Sequence, residues 1–193
     1  VCLAQMYEFG QGVKQDNAEA LRWFRKAAEQ GDAEGQCSAG KLCEDEGNYS
    51  EAMICYRKAT EQGHARAQYN FSVMYYEGKG VEQDSEEAFG WFHKAAAQGQ
   101  RGAQYSLGAM YFNGDGVPKI TKEVERWWRK AAEAGSKKAK ELLLKHFPSK
   151  SALCFQCSRP LVDVKRCSRC KTAKYCSAEC QRAHWPKHKR ECD

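Results

Sequence analysis

Between Cys154 and Cys192 the chain places nine residues of metal-binding type. In order they are Cys154-x2-Cys157-x9-Cys167-x2-Cys170-x5-Cys176-x3-Cys180-x3-His184-x3-His188-x3-Cys192. Thiolates and imidazoles at such spacings are the ligands of tetrahedral structural zinc, each ion taking four. Nine donors exceed the needs of two ions by one. On one continuous helix Cys180, His184, His188 and Cys192 would share a face, and spacing could not separate the histidines. Pro186 argues against that helix, because it lacks an amide donor and clashes with the turn before it. It also pushes Trp185 away from helical geometry. Two short helices are expected instead, over about 177–184 and about 186–192, the second with proline in its first turn. His188 and Cys192 then form an i,i+4 pair, as Cys176 and Cys180 do, and His184 is left over. With the two Cys-x2-Cys pairs this makes eight ligands for two zinc ions, and sequential and crossed use both satisfy the count.

The remaining cysteines favour metal over disulfides. Of eleven, four (Cys2, Cys37, Cys43, Cys55) are scattered and seven crowd the last forty residues, an odd total with paired short spacings. That usage suits a reducing compartment, so the chain is expected inside the cell, in cytoplasm or nucleus. No stretch approaches the ~18 apolar residues of a membrane span. Charge divides the chain as the cysteines do. Residues 1–149 carry a net −1 and residues 150–193 a net +7, with the change at "HFPSK" (146–150), where Pro148 stops the preceding helix. The expected organisation is a first domain over 1–147, a linker over 148–153 and a metal module over 154–192. A segment as short as the last cannot bury enough apolar surface to fold alone, whereas a structural zinc contributes roughly 10–16 kcal/mol of apparent binding free energy to folding.

The elements preceding the module repeat. "RKAAEQG" (25–31), "RKATEQG" (57–63), "HKAAAQG" (93–99) and "RKAAEAG" (129–135) place Lys26, Lys58, Lys94 and Lys130 at intervals of 32, 36 and 36. This period indicates a mainly α fold, a solenoid of helical hairpins. In the third unit Ala67, Phe71, Met74 and Tyr75 share one face of a first helix, which Gly78 and Gly80 end. Asp84 is placed to cap the second helix, with Glu87 as its capping-box partner; Asp16 with Glu19 and Asn48 with Glu51 stand at the same places. The second helices should bury an aromatic ridge, Trp23, Cys55, Trp91 and Trp127 beside Phe24, Tyr56, Phe92 and Trp128, and end at Gly31, Gly63, Gly99 and Gly135. The second unit is four residues short, in the loop "EDEGNYS" (44–50). Because the first unit begins at the position equivalent to Tyr69, an N-terminal truncation is expected. "KAKELLLKHF" (138–147) reads as a capping helix.

The pattern A-x3-[LF]-x3-[YM]-x2-G-x-G-V … A-x2-W-[FW]-x-K-A-A-x2-G resembles Sel-one-like repeats, a subclass related to tetratricopeptide repeats. The resemblance implies a superhelix that binds proteins, and it implies no reaction. Cys37, Cys43 and Cys55 read as small buried hydrophobes. His64 and His93 stand alone near helix ends. Neither a glycine-rich phosphate loop nor a paired-carboxylate or Ser-His-Asp constellation stands out.

The ligand spacing of the last forty residues, with "KYC", "CQ" and "HWPKHK" in place, resembles the MYND zinc finger. That resemblance implies a short β-hairpin with short helices and two interleaved structural zinc sites. Cys154, Cys157, Cys176 and Cys180 would hold one ion, and Cys167, Cys170, His188 and Cys192 the other. It also implies a groove for proline-containing peptides at Ser168, Gln181 and Trp185. The expected function is a zinc-binding adaptor, without enzymatic activity, that joins protein partners. The alternatives are a nucleic-acid-associated or transcriptional regulator using the basic finger, or the targeting part of a larger protein. Seven thiolates and two zinc ions lower the finger's formal +7 to about +4, which weakens the nucleic-acid reading.

Overall fold

The computed structural model describes residues 2–147 together with 165–166, 174–175 and 181–182. Two compact bodies, Val1–Ser136 and Lys137–Asp193, divide the chain. The first holds four helical hairpins: α1 (Cys2–Phe9) with α2 (Asn17–Glu29), α3 (Ala33–Asp45) with α4 (Tyr49–Glu61), α5 (Ala65–Glu77) with α6 (Ser85–Ala97), and α7 (Arg101–Asn113) with α8 (Thr121–Glu133). Each packs on the helix before and after it in sequence, the arrangement the repeat period predicts. No described helix is long and apolar enough to cross a membrane.

The hairpins are held by matched columns of large and small residues. On the second helices Phe24, Tyr56, Phe92 and Trp128 are buried. The first helices carry Ala4, Gly40, Ser72 and Gly108 at equivalent positions. Glycine stands where the opposing ring is largest. A Cβ at Gly40 would come within 2.8 Å of the Tyr56 ring, and one at Gly108 within 2.2 Å of Trp128 Cδ1. A methyl group at either site would force the hairpin apart. The neighbouring column of the expected ridge is less deeply placed. Trp23, Cys55 and Trp91 are half-buried and only Trp127 is buried. Lysines of the recurring motif cover these rings, with Lys26 Nζ 4.4 Å from the Trp23 centroid, Lys94 3.6 Å from Trp91 and Lys130 4.8 Å from Trp127. In the second unit, where Cys55 replaces tryptophan, Lys58 lies over no ring among the described residues.

The caps agree with the sequence in part. Asp84 accepts from the amides of Glu86 and Glu87 at 3.0 and 2.9 Å, Asp16 from Ala18 and Glu19, and Asn48 from Glu51. The reciprocal half of the capping box is not formed. The Asp84 and Asp16 amides donate instead to the carbonyls of Tyr75 (3.0 Å) and Tyr7 (2.9 Å), and Glu87 accepts from Trp91 Nε1 at 2.8 Å. In the fourth unit the cap position is Ile120, 42% exposed, and no side chain caps α8.

Within the hairpins, glutamine pairs form a ladder that sequence reasoning missed, each joining a buried glutamine of the first helix to an exposed one at the end of the second. Gln62 Nε2 donates to Gln36 Oε1 and Gln98 Nε2 to Gln68 Oε1, both at 2.8 Å. The third rung is broken. Ala134 stands where glutamine would be, and Gln104 Oε1 has no partner among the described residues. The loop glycines supply a contact between units. Gly80 and Gly116 have φ of +70° and +68°, and a Cβ at either would meet the backbone of the preceding second helix, Tyr49 C at 2.9 Å and Ser85 C at 2.7 Å. In the second body α9 (Lys137–His146) buries Ala139 and leaves Leu144 exposed. There β1 (Lys165–Arg166) pairs antiparallel with β2 (Lys174–Tyr175), Lys165 opposite Tyr175 and Arg166 opposite Lys174. This is the short hairpin expected of the finger.

Three outcomes follow for stability. Gly80→Ala combines a left-handed φ with a backbone clash and should cost about 2–4 kcal/mol in urea unfolding. Gly90→Ala, on the exposed side of α6 with nothing within 4 Å of its Cβ, should instead add about 0.5–1 kcal/mol. Ile120→Asp should supply the missing cap and add about 1 kcal/mol, read as a higher thermal midpoint.

Candidate interaction surface

The first helices α1, α3, α5 and α7 line up their outward residues on one face of the repeat body. At the α1 end that face is polar. Asp32 caps α3 and His64 caps α5, the latter by accepting the Ala67 amide at Nδ1 (3.2 Å). The lone pair used there places the proton on Nε2, which donates to Glu34 at 3.0 Å. His64 is thus a cap and a link between α3 and α5, a role its isolation in the sequence did not reveal. Glu34 also takes Arg66 (2.5 Å), whose guanidinium reaches Ser38 Oγ at 2.9 Å and Cys37 Sγ at 3.3 Å. Lys41 pairs with Asp45 at 2.6 Å and lies 3.8 Å from Glu44. A groove of about 360 Å³ opens among these groups, lined by Gln5, Glu8, Glu34, Ser38, Arg66 and Asn70 among others. Burial in it pushes the Glu8 carboxyl above its ordinary pKa, with Arg66 acting against that and Glu34 and Asp45 reinforcing it.

Towards α7 the same face turns aromatic. Lys41, Val73 and Ala109 are equivalent, as are Cys37, Tyr69 and Tyr105. A cleft of about 150 Å³ lies between α5 and α7, lined by Tyr76, Phe92, Tyr105, Ser106, Ala109 and Met110. Its walls are fixed. Tyr76 donates its hydroxyl to Asp115 at 2.8 Å and stands edge-on to Phe92 at 6.5 Å between centroids.

The repeat cysteines have no reactive setting. Cys37 and Cys43 are buried and Cys55 half-buried, all unbridged. Burial raises each thiol, Cys43 to about 11, which keeps it protonated and inert at neutral pH. Among the described residues no cluster of three or more Cys, His, Asp or Glu could hold a metal ion. Of the finger residues singled out in the sequence, Gln181 is described, helical and half-buried. The zinc-ligand candidates Cys154, Cys157, Cys167, Cys170, Cys176, Cys180, His188 and Cys192 lie outside the described residues, as do Ser168, His184 and Trp185.

Comparison with known proteins separates the two regions in the same way. The Sel1 repeat matches residues 3–32, 38–64, 65–100 and 102–136, and the MYND finger residues 154–192. A protective antigen of uropathogenic Escherichia coli with an SLR fold is 39% identical, with a TM-score of 0.68 over 74% of this chain and 31% of its own. A Sel1 repeat protein from Oxalobacter formigenes is 32% identical, with a TM-score of 0.70 over 74% of this chain and 59% of its own. The human histone-lysine N-methyltransferase SMYD3 is 50% identical over 44 residues, 23% of this chain. The chain spans only about a tenth of that relative's length, and the match is confined to the finger region. Sel1 repeats and MYND fingers are both protein-interaction modules, and the latter binds zinc. With four matched repeats over most of its length, the chain belongs to the Sel1 repeat family and carries a MYND finger after the repeats.

Proposed function

We propose that the protein is a non-enzymatic adaptor whose repeats and finger engage partner proteins at separate surfaces. The observation that carries this reading is the presence of both interaction modules in one chain. The methyltransferase relative is matched over its finger region, so the likeness supports zinc binding and partner recognition rather than methyl transfer. The division is into repeats over 1–147, a linker over 148–153 and the finger over 154–192. Two sites on one chain give avidity towards a partner that carries both epitopes.

The donor set of the finger fits zinc, since thiolates and imidazole are its preferred ligands. Cys154, Cys157, Cys176 and Cys180 hold one ion, and Cys167, Cys170, His188 and Cys192 the second. Each ion has four protein ligands and no position for water, so the metal stabilises the fold and activates no nucleophile. Ser168, Gln181 and Trp185 form a groove in which the indole stacks on a proline-containing segment. Such thiolate sites place the protein inside the cell, in cytoplasm or nucleus. The basic charge of the finger favours a second reading, contact with nucleic acid. Affinity for DNA that falls steeply with salt would support it, and no binding at ~50 mM salt would exclude it.

Native mass spectrometry of the intact chain should find two zinc ions, and finding one would overturn the four-plus-four assignment. His188→Ala should release one ion while His184→Ala retains both; the opposite result reverses the choice of histidine. Affinity capture with the intact chain should recover proline-containing partners that Trp185→Ala fails to retain, and equal recovery by both would remove the groove from the finger.

A further inference from the structure

We infer that the first-helix face of the repeats is a two-part peptide groove. It takes an extended segment with an arginine or lysine at the α1–α3–α5 end and one compact aliphatic side chain at the α5–α7 end. This rests on the reading of the repeats as an interaction surface and adds the place and the chemistry of the partner.

The polar half calls for a cation. The 360 Å³ groove is lined by two carboxylates, Glu8 and Glu34, and two cations, Lys41 and Arg66, with Glu44 and Asp45 beside Lys41; a third cation, Lys79, acts on Lys41 and Glu44 and is itself paired with Glu77. Both lining cations are already engaged, Lys41 by Asp45 and Glu44, and Arg66 by Glu34, Ser38 and Cys37. His64 gives its one ring proton to Glu34 and adds no formal charge. Glu8 makes none of the ion pairs of the described residues, and besides Arg66 the charges that act on it are the carboxylates Glu34 and Asp45. A guest guanidinium or ammonium would relieve that repulsion and complete the local neutralisation.

The aromatic half calls for a single apolar side chain. At about 150 Å³ the cleft is smaller than the ~300 Å³ at which small-molecule sites begin. Its walls are pinned by the Tyr76–Asp115 hydrogen bond and the Phe92 ring, so they do not collapse when empty. Ala109 keeps it open at the position where Lys41 crosses the face in α3. The two parts lie on neighbouring helices of one row. With packed helices 8–10 Å apart, the α3 and α7 ends are separated by roughly 20 Å. An extended chain at ~3.3 Å per residue covers that in about six residues, which sets the spacing between cation and aliphatic residue.

The test is selection of a displayed library of random peptides, about ten residues long, on the intact protein. Enriched peptides are counter-screened by fluorescence anisotropy on the Glu8→Lys and Ala109→Phe variants. The expected set carries Arg or Lys about six residues from Leu, Val or Pro, and binds either variant about tenfold more weakly, a shift of ~1.4 kcal/mol. A charge swap guards against misfolding. Glu8→Lys should regain affinity for a selected peptide whose basic residue is replaced by glutamate. The inference fails if enriched peptides lack the basic residue, if both variants bind them as the unaltered protein does, or if the charge swap restores nothing. Repeat-dependent binding that ignores both variants leaves the adaptor reading standing and removes this groove; absence of any repeat-dependent peptide removes both.

Discussion

The contact on which each hairpin depends is a ring set into the space left by a missing side chain. Tyr56 lies against Gly40 and Trp128 against Gly108, each so close that a methyl group could not be admitted. This lets the backbones of paired helices approach while burying the largest side chains of the body, where apolar transfer and dispersion are both greatest. The pairing is graded. Where the small column is Ala4 or Ser72, the opposing column carries phenylalanine rather than tyrosine or tryptophan. Volume is conserved across the pair rather than at either position, as close-packed interiors require.

A second layer of contacts fixes one hairpin on the next. Loop glycines at positive φ let Gly80 and Gly116 touch the preceding second helix, and buried glutamines reach back across such boundaries, Gln36 to the Ala28 carbonyl at 3.3 Å and Gln104 to that of Ala96 at 3.4 Å. The units are not equivalent in this respect. The short second loop has no such glycine pair, and inside the fourth hairpin the glutamine rung lacks its donor at Ala134. The α3–α5 boundary also carries the Glu34–His64–Arg66 network, so polar bonds stand beside shape complementarity there. The same network fills the first-helix face with charge, which ties a stabilising device of the solenoid to the chemistry its surface presents.

The two regions of the chain achieve order by different means. The repeats have enough apolar surface to form a core, and the thiols of Cys37, Cys43 and Cys55 are simply part of it, protonated and unbridged. The MYND finger is rich in cysteine and basic residues and poor in large apolar ones, so it depends on bound metal for folding energy. Cysteine therefore has opposite meanings in the two halves. In the helices it is a small hydrophobe, and in the finger it is a ligand type.

Period, capping residues and terminal glycines were legible because they are local: a helix begins where Asp16, Asn48 or Asp84 can accept its first amides and ends where a glycine admits positive φ. The zinc-finger spacing was legible for the same reason, since coordination limits how far apart ligands in a short chain can stand. Tertiary packing decided the rest. It turned His64 into a cap that bonds Glu34, thirty positions earlier, and diverted the Asp16 and Asp84 amides to carbonyls of the preceding helix. It also divided the aromatic ridge into a buried column and one covered by lysines. The sequence alone determined a row of helical hairpins followed by a metal-binding finger. Only the assembled helices decided that their first-helix face runs from carboxylates to aromatic rings, because that gradient joins residues from four helices that are neighbours solely in space.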